Sequence, residues 1–243
     1  MKILVTGISG RMGQTVKQAV ELNEQTEMGA THDVGQDVVA AMQQADCTID
    51  FSFHGFTPEL LDAAVAQGKP LVIGTTGHTD EERTAIKAAA TRIPIVFASN
   101  YSVGVNTLFW LTRKATQILQ DYDIEIIEMH HHHKLDAPSG TARTLAEVVC
   151  QETGMDYNKD VMHGREGLVG ARPQRQIGMH SMRGGDVVGD HTVIYATDGE
   201  RVELTHKASS RMTFASGAVR AALWLADKPA GLYSMQDVLG FAD

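Results

Sequence analysis

The sequence lacks the features that would indicate a secreted or membrane protein. It contains only two cysteines, and neither Cys47 nor Cys150 lies in a C-x-x-C motif or at a spacing typical of metal ligands. We therefore expect two reduced thiols in a reducing compartment. No apolar run approaches the length of a membrane span, and the start MKILVTGISG lacks the apolar segment of a secretory signal. These absences predict a cytoplasmic protein with no membrane partner.

Positive charge is also scarce. The formal net charge is -9 and the isoelectric point is near 5.6, which argues against nucleic acid as the main partner because a phosphate backbone repels such a surface. A small anion could still bind to a local cluster of positive groups. Hydrophobic residues make up 43% of the chain and charged residues 21%, as in an ordinary globular protein of one large or two small domains.

The first hundred residues alternate between short apolar runs and amphipathic stretches. The pattern predicts five strands, at 2–6, 28–32, 48–53, 71–74 and 93–98. It predicts four intervening helices, at 14–22, 38–44, 58–67 and 80–91. Such alternation is typical of right-handed βαβ units and a parallel sheet.

The second part of the chain has a different pattern. It predicts helices at 105–119 and 141–152, and strands at 124–129, 176–182, 190–196 and 201–206. Short turns join the last strands, which favours a more antiparallel sheet. A last helix at 214–225 is apolar on one side and needs a partner sheet, so we assign it to the first domain.

A glycine loop follows the first predicted strand. Gly7, Gly10 and Gly13 form G-x-x-G-x-x-G, a variant of the dinucleotide fingerprint G-x-G-x-x-G. Positions without side chains let the backbone approach a pyrophosphate, and the following helix points its free N–H groups at that anion. An ordinary glycine-rich turn is the alternative, but the βαβ context favours a cofactor.

Other residues extend this predicted cofactor site. Asp33 lies just past the second strand, where an acid would bind the adenosine ribose hydroxyls and disfavour a 2′-phosphate. Arg11 favours a cofactor with a 2′-phosphate, since a guanidinium could pair with that phosphate. Taken alone, Asp33 could equally be a solvated turn residue. The loops 74–77 and 99–102 follow the fourth and fifth strands, which favours a place near the nicotinamide over simple turns.

The segment from His130 to Lys134 contains four consecutive histidines followed by lysine. An affinity tag would sit at a terminus, and adjacent residues of an extended strand point to opposite faces, so four cannot bind one ion. With no nearby cysteine either, we predict no metal site. Histidine can donate a proton near neutral pH, and lysine supplies positive charge. Residues 138–141 then open a helix whose free N–H groups would bind a carboxylate, a context that a polar surface loop fits poorly.

Residues 128–142 read E-x-H-H-x-H-K-x-D-A-P-S-G-T-A. Together with the G-x-x-G-R-M-G start, this motif resembles the 4-hydroxy-tetrahydrodipicolinate reductase (dihydrodipicolinate reductase) family of bacterial lysine and diaminopimelate biosynthesis. The likeness continues through 74–77, 99–106, 164–167 and 206–211, and so covers nearly the whole chain. A match at the site carries more weight for function than a shared fold does.

The resemblance implies an enzyme that delivers hydride from NADH or NADPH to 4-hydroxy-tetrahydrodipicolinate as water leaves, giving tetrahydrodipicolinate. It implies that His130 is the general acid and that Lys134 assists protonation and substrate binding. The substrate carboxylates would be held by His131, Gly140 and Thr141. The pyrophosphate would be held by Gly7, Gly10, Arg11, Met12 and Gly13, and the ribose by Asp33. The nicotinamide side would be formed by Gly74, Thr75, Thr76, Ser99, Asn100 and Tyr101.

The fold implied is α/β. A Rossmann-like dinucleotide-binding domain would comprise 1–101 and 211–243. A second α+β domain at 102–210 would carry a mixed sheet, bind the substrate and build a homotetramer. Two departures concern cofactor preference: the region 33–45 is shorter than in many members, and Phe53 and His54 stand where several have arginine or proline. Asp33 favours NADH, and use of both cofactors stays open.

Three other functions are weighed against this one. The first is a different dinucleotide enzyme, such as an amino-acid dehydrogenase. The glycine loop is compatible with it, and only the motif at 130–141 argues against it. A redox-sensing module would need no proton donor, and such sensors often carry a basic DNA-binding helix that this acidic chain lacks. A histidine-rich metal carrier would hold stoichiometric zinc or nickel.

Overall fold

The computed structural model describes residues 1–241, which form two compact units. The first unit comprises Met1–Val103 and the segment that begins at Arg211, and the second comprises Gly104–Ser210. The last two residues of the predicted 211–243 segment lie outside the described residues. Among residues 1–241, no helix combines the length and apolarity needed to cross a bilayer.

The first unit contains a six-stranded sheet in which every neighbouring pair is parallel. Elements are numbered in chain order. The strands are β1 (Lys2–Thr6), β2 (Glu27–His32), β3 (Cys47–Asp50), β4 (Leu71–Ile73), β5 (Pro94–Phe97) and β11 (Gly231–Tyr233), in the spatial order β11-β5-β4-β3-β1-β2. The helices are α1 (Arg11–Leu22), α2 (Val38–Met42), α3 (Thr57–Gln67), α4 (Asp80–Ala89), α8 (Met212–Leu225) and α9 (Met235–Leu239). The predicted parallel sheet is confirmed.

Both faces of this sheet are covered, which explains why its strands are nearly continuous apolar runs. In β1, Ile3 and Val5 face a core shared with α1 and α8, while Leu4 faces a core shared with α2, α3 and α4. Helix α8 therefore packs with the first unit.

The second unit carries a mixed sheet, as predicted. Its strands are β6 (Asp123–His130), β7 (Val161–His163), β8 (Ile177–Arg183), β9 (Gly189–Thr197) and β10 (Glu200–Ala208), in the order β10-β9-β6-β8-β7. The β6–β8 and β7–β8 pairs are parallel, and the β6–β9 and β9–β10 pairs are antiparallel. Its helices are α5 (Val103–Ile118), α6 (Gly140–Thr153) and α7 (Tyr157–Asp160).

Strand β6 alternates between two environments. Ile124 and Ile126 are buried in the core of the second unit, and Glu128 and His130 continue the same buried face. Strand β6 extends one residue beyond the predicted 124–129 and includes only the first of the four histidines. His130 ends β6, whereas His132 and His133 lie in a turn, because the backbone leaves the sheet there to reach α6.

Candidate active site

The glycine loop after β1 is shaped by close backbone contacts. Gly7 has a φ of +67°, and a Cβ at this position would lie 2.6 Å from the carbonyl oxygen of Phe51. A Cβ on Gly13 would lie 2.1 Å from the carbonyl oxygen of Gly7. Both positions require glycine, because no larger residue fits between the loop, β3 and the start of α1.

The N-terminus of α1 suits an anion. Gly10 is the N-cap residue of α1. Among the described residues, no side chain accepts a hydrogen bond from the first N–H groups of this helix, and its first turn contains no acidic residue. Arg11 is exposed, Met12 is half-buried and Gly13 is buried. The first N–H groups of α1 and the positive end of its dipole are therefore available to a phosphate.

Asp33 connects the end of β2 to this loop. Its carboxylate accepts hydrogen bonds from the backbone N–H of Ser9 at 2.7 Å and of Val34 at 2.8 Å. The hydrogen bonds from Ser9, and then the one from Val34, hold the pKa of Asp33 below its usual value. The adjacent His32 ring stacks on Phe56 with a centroid distance of 4.9 Å. Asp33 is thus a fixed, charged acceptor beside the glycine loop.

A pocket of about 660 Å³ opens beside these groups in the first unit. Two carboxylates, those of Asp33 and Glu59, and two exposed apolar side chains, Val34 and Phe53, line it. Among the described residues that line it, none is arginine or lysine. The other lining residues are Gly7, Ser9, Gly10, His32, Gly35, Gln36, Phe51, Ser52, Gly55 and Phe56. Arg11, the candidate partner of a 2′-phosphate, does not line the pocket.

The loop after β4 is attached to β3 through Asp50. This side chain is 1% exposed and accepts hydrogen bonds from the hydroxyls of Thr6 at 2.5 Å and Ser52 at 2.5 Å. Its second oxygen accepts the hydroxyl of Thr75 at 2.6 Å. Thr75 is therefore a buried structural contact, whereas Gly74 is half-buried and Thr76 is exposed at the same strand end.

The loop after β5 contributes unequally. Ser99 is exposed, and Asn100 accepts a hydrogen bond from the backbone N–H of Ser102 at 2.8 Å. Tyr101 is buried, and its hydroxyl donates to the carbonyl oxygens of Ile73 at 2.9 Å and Val96 at 3.0 Å. The side chain of Tyr101 thus belongs to the core.

In the second unit, His130 is paired with a buried carboxylate. Its Nδ1 lies 2.5 Å from Oε2 of Glu128, which is fully buried. Arg183 donates to both oxygens of Glu128, at 2.8 and 2.9 Å, and the Ser139 N–H donates to Oε1 at 3.2 Å. Burial alone would raise the pKa of Glu128, but the hydrogen bonds from His130 and Arg183 lower it to about 2.

A second histidine packs against this pair. The ring of His191 meets that of His130 edge to face, with a centroid distance of 5.2 Å, and its Nε2 lies 3.0 Å from the hydroxyl of Ser139. Burial lowers the pKa of His191 to about 3. His191 is consequently neutral near pH 7 and does not compete with His130 as a charged proton source.

The remaining predicted substrate residues lie in the loop between β6 and α6 and in the first turn of α6. Lys134 Nζ lies 2.9 Å from Oδ1 of Asp136, an exposed residue. His131 is half-buried, and its N–H donates to the carbonyl oxygen of Val187 at 2.7 Å. Ser139 is the N-cap residue, so α6 begins with Gly140 and Thr141 as the sequence predicts. This grouping brings an imidazole, a lysine and a helix N-terminus together within one unit.

Comparison with known proteins identifies the family. Residues 1–101 match the family described as dihydrodipicolinate reductase, N-terminus, and residues 104–239 match dihydrodipicolinate reductase, C-terminus. A 4-hydroxy-tetrahydrodipicolinate reductase of Akkermansia muciniphila is 67% identical over 243 residues, covering 100% of this chain and 99% of the relative. The chain belongs to the dihydrodipicolinate reductase family.

Other members of the dihydrodipicolinate reductase family agree with this. The reductase of Magnetococcus marinus is 46% identical over 265 aligned positions, covering 99% of each chain. That alignment is longer than the 243 residues of this chain, so the Magnetococcus reductase has residues at positions where this chain has gaps. The Akkermansia alignment spans only 243 positions. A dipicolinate-bound dihydrodipicolinate reductase from Paenisporosarcina shares the fold, with a TM-score of 0.80, 24% identity and 98% coverage of both chains.

Three residues of this reductase site were given no role from the sequence. Glu128 lies inside the motif, and its spacing of two from His130 on a strand was a usable signal, since such residues share a face. Arg183 and His191 come from β8 and β9, more than fifty positions away from their partners. No local pattern could place them there.

Proposed function

We propose that this chain is an NAD(P)H-dependent 4-hydroxy-tetrahydrodipicolinate reductase that forms tetrahydrodipicolinate for lysine and diaminopimelate biosynthesis. The observation that carries the proposal is the grouping of His130, Lys134 and the N-terminus of α6 in a chain that is 67% identical to a named reductase and covers 99% of it. These groups supply what the reaction demands of the protein, namely a proton donor beside binding groups for a small dianion.

The first unit would hold the dinucleotide. Gly7 and Gly13 leave backbone clefts that a Cβ would fill, and the uncapped N-terminus of α1 fits a pyrophosphate. When bound, the nicotinamide supplies the hydride. Gly10, Arg11 and Met12 complete the phosphate loop. The strand ends that carry Gly74, Thr75, Thr76, Ser99, Asn100 and Tyr101 would form the nicotinamide side, with Thr75 and Tyr101 acting through the backbone positions that their buried side chains fix.

The second unit would hold and protonate the substrate. Hydride addition to a conjugated imine leaves negative charge, and His130 would quench it by donating a proton. His131 and the N–H groups of Gly140 and Thr141 would bind the carboxylates. Lys134 pairs with exposed Asp136 at 2.9 Å, so a substrate carboxylate could take over that contact.

The pocket beside Asp33 favours NADH over NADPH. A 2′-phosphate placed there would meet the carboxylates of Asp33 and Glu59 without an arginine or lysine among the described lining residues. The same carboxylates can accept hydrogen bonds from ribose hydroxyls. Phe53 and Val34 offer apolar surface to the adenine.

We also propose that the protein works in the cytoplasm as a homotetramer assembled through the second unit. Its support is the exposed apolar surface of that unit, which includes Met162, Leu168, Val169 and Met182. Light scattering of the purified protein would test the assembly, and a monomer at micromolar concentration would contradict it.

The decisive experiment couples a synthase, which makes the labile substrate from aspartate semialdehyde and pyruvate, to this protein. Loss of nicotinamide absorbance is followed with NADH and NADPH in parallel. Oxidation that requires both proteins is expected, with a higher kcat/KM for NADH. No oxidation by protein that binds dinucleotide would contradict the function and favour a dehydrogenase of another small acid or a sensor.

The roles of His130 and Lys134 are tested in the same assay. His130→Gln and Lys134→Ala should each lower turnover by about 10²–10⁴-fold, the usual contribution of a general acid, and leave dinucleotide affinity unchanged. His163→Gln and Lys159→Ala change exposed residues of the same unit and serve as controls. Unchanged turnover in either site variant would remove that residue from the mechanism.

A further inference from the structure

Glu128 and His130 are separated by one residue on β6 and share its buried face. Glu128 Oε2 lies 2.5 Å from His130 Nδ1, with Glu128 fully buried and His130 9% exposed. An ionised carboxylate can only accept hydrogen bonds, so Nδ1 of His130 must carry the proton of this contact. Nε2 is then the ring atom that can gain and lose a proton.

The partners of Glu128 keep it ionised. Arg183 donates to both carboxylate oxygens, and the Ser139 N–H donates to Oε1. A buried carboxylate without such donors would take up a proton and lose its role as an acceptor. The lowering of the Glu128 pKa to about 2, in spite of burial, agrees with this geometry.

Arg183 also connects this pair to the surrounding loops. Its guanidinium donates to the carbonyl oxygen of Asp136 at 2.7 Å, and the N–H of the next residue, Gly184, donates to the carbonyl oxygen of His130 at 2.9 Å. The pair is therefore fixed from β6, from β8 and from the loop that carries Lys134. The carboxylate that accepts the hydrogen bond of the His130 ring therefore has little freedom to move.

The second ring nitrogen of His130, Nε2, lies next to the backbone of β9. A Cβ on Gly189 would lie 3.0 Å from Nε2, so glycine at this position of β9 keeps the atom clear of a side chain. The titratable and charged groups near the ring are Glu128 on its own strand, Arg183 on β8, His191 on β9, His206, which is paired with His191 from β10, and the Lys134–Asp136 pair in the following loop. Of the two anions, Glu128 is the one that contacts the ring, whereas Asp136 is paired with Lys134.

We propose that Glu128, held by Arg183, is a positioning residue of the reductase: it fixes the ring of His130 with Nδ1 protonated, so that Nε2 delivers the proton. In the step, the N–H bond at Nε2 breaks, the substrate atom made negative by hydride addition takes the proton, and the imidazolium becomes the neutral Nδ1–H form. Solvent then returns a proton to Nε2. The inference rests on the proposed function and adds a residue that acts through His130.

The test measures kcat and KM across pH for the wild type, Glu128→Gln and Glu125→Gln. Glu125 is a matched control because it lies on the same strand, faces away from His130, and is paired with Arg165, Arg172 and His180. Glu128→Gln should lower kcat at least about 10-fold. The loss should be smaller than in His130→Gln, which removes the whole contribution of the general acid. It should also move the alkaline limb of the kcat profile to lower pH, because the imidazolium loses its carboxylate partner. Glu125→Gln should leave that limb in place.

A merely structural role would lower the amount of active enzyme without moving the limb, so a Glu128→Gln profile that coincides with the wild type in shape would overturn the proposal. Should that variant fail to fold, nitrogen-15 spectra of the wild-type histidines decide instead. The neutral form of His130 should carry its proton on Nδ1, and an Nε2–H form would contradict the inference. An inactive wild type contradicts the proposed function, whereas an active wild type with an unshifted variant contradicts only the role of Glu128.

Discussion

Asp50 shows how a single buried side chain can determine the shape of a ligand site. Its two oxygens accept the hydroxyls of Thr6, Ser52 and Thr75. Thr6 immediately precedes Gly7, and Thr75 immediately follows Gly74. One carboxylate therefore connects the glycine loop, the end of β3 and the loop after β4. Displacing it would disturb two segments of the proposed cofactor site at once.

Asp50→Asn should destabilise the first unit and weaken dinucleotide binding. The amide nitrogen cannot accept a hydrogen bond, so at least one buried hydroxyl loses its partner, at a cost of about 1–3 kcal/mol in the free energy of unfolding. Urea unfolding and dinucleotide titration measure the two effects. Asp62→Asn, which changes an exposed aspartate of α3, is the control. Equal stability and affinity in both variants would show that the Asp50 cluster does not hold the loops.

The residues of the site differ in how far they could be predicted. His130 and Lys134 were found because their motif is contiguous. The partners of Glu128 were missed because the contact between β6 and β8 joins residues 55 positions apart. Tyr101 follows a strand end and stays predicted to lie beside the cofactor, but its hydroxyl binds the carbonyl oxygens of Ile73 and Val96 in the core, so only its backbone is left for that role. Position along the chain indicates a loop, and only packing decides which way a side chain points.

Among the elements, length largely determined what the sequence could reveal, although the short α2 and β4 were also predicted from the alternation of strands and helices. The long helices and the strands of four or more residues were predicted, with ends that differ by a few positions. The short elements α7, β7, β11 and α9 were not predicted, since three to five residues are too few to show a period. β11 matters for the fold because it adds an edge strand to the first sheet beside β5.

The start of α1 gives a prediction at the scale of this element. A Cβ on Gly13 would lie 2.1 Å from the Gly7 carbonyl oxygen, whereas one on Gly10 would lie 3.2 Å from the same atom. Gly13→Ala should therefore push α1 away from the loop and weaken dinucleotide binding about 10-fold or more, which corresponds to about 1.4 kcal/mol.

Gly10→Ala should have the smaller effect, because a contact of that length needs only a slight shift of the loop. Titration of both variants with NADH measures the difference, and circular dichroism checks that the helices are retained. Equal affinities for the two variants would indicate that close packing of α1 on the loop does not shape the phosphate site.

For the whole molecule, several buried groups have pKa values that lie below those of the unfolded chain. Burial lowers the pKa of His191 from 6.5 to about 3. For Glu125 and Glu128, hydrogen bonds outweigh burial and lower the pKa from 4.5 to about 2. In each case the unfolded chain binds a proton that the folded chain does not. Acid therefore favours unfolding, and these three groups contribute their full stability to the second unit only above about pH 6.5.

The two tryptophans allow the pH dependence of stability to be measured for one unit at a time. Trp110 lies on α5 in the second unit, and Trp224 lies on α8 in the first. In a Trp224→Phe background, fluorescence during urea unfolding reports on the second unit alone. His191 is nearly fully buried, so its contribution is not reduced by solvent screening.

As pH falls from 6.5 to 4.5, where Glu125 and Glu128 begin to contribute, the His191 contribution to the free energy of unfolding should fall by about 1.4 kcal/mol per pH unit. Burial also lowers the pKa of His206 in the same unit, so this second histidine acts in the same direction. His191→Gln removes the group that only the unfolded chain protonates, so its stability should fall less steeply over this range, even if the variant is less stable at neutral pH. His163→Gln, on the exposed edge of β7, should keep the wild-type slope. Parallel slopes for the wild type and His191→Gln would mean that the His191 ring is hydrated enough to take up its proton in the folded state, which the packing between His130 and Ser139 argues against.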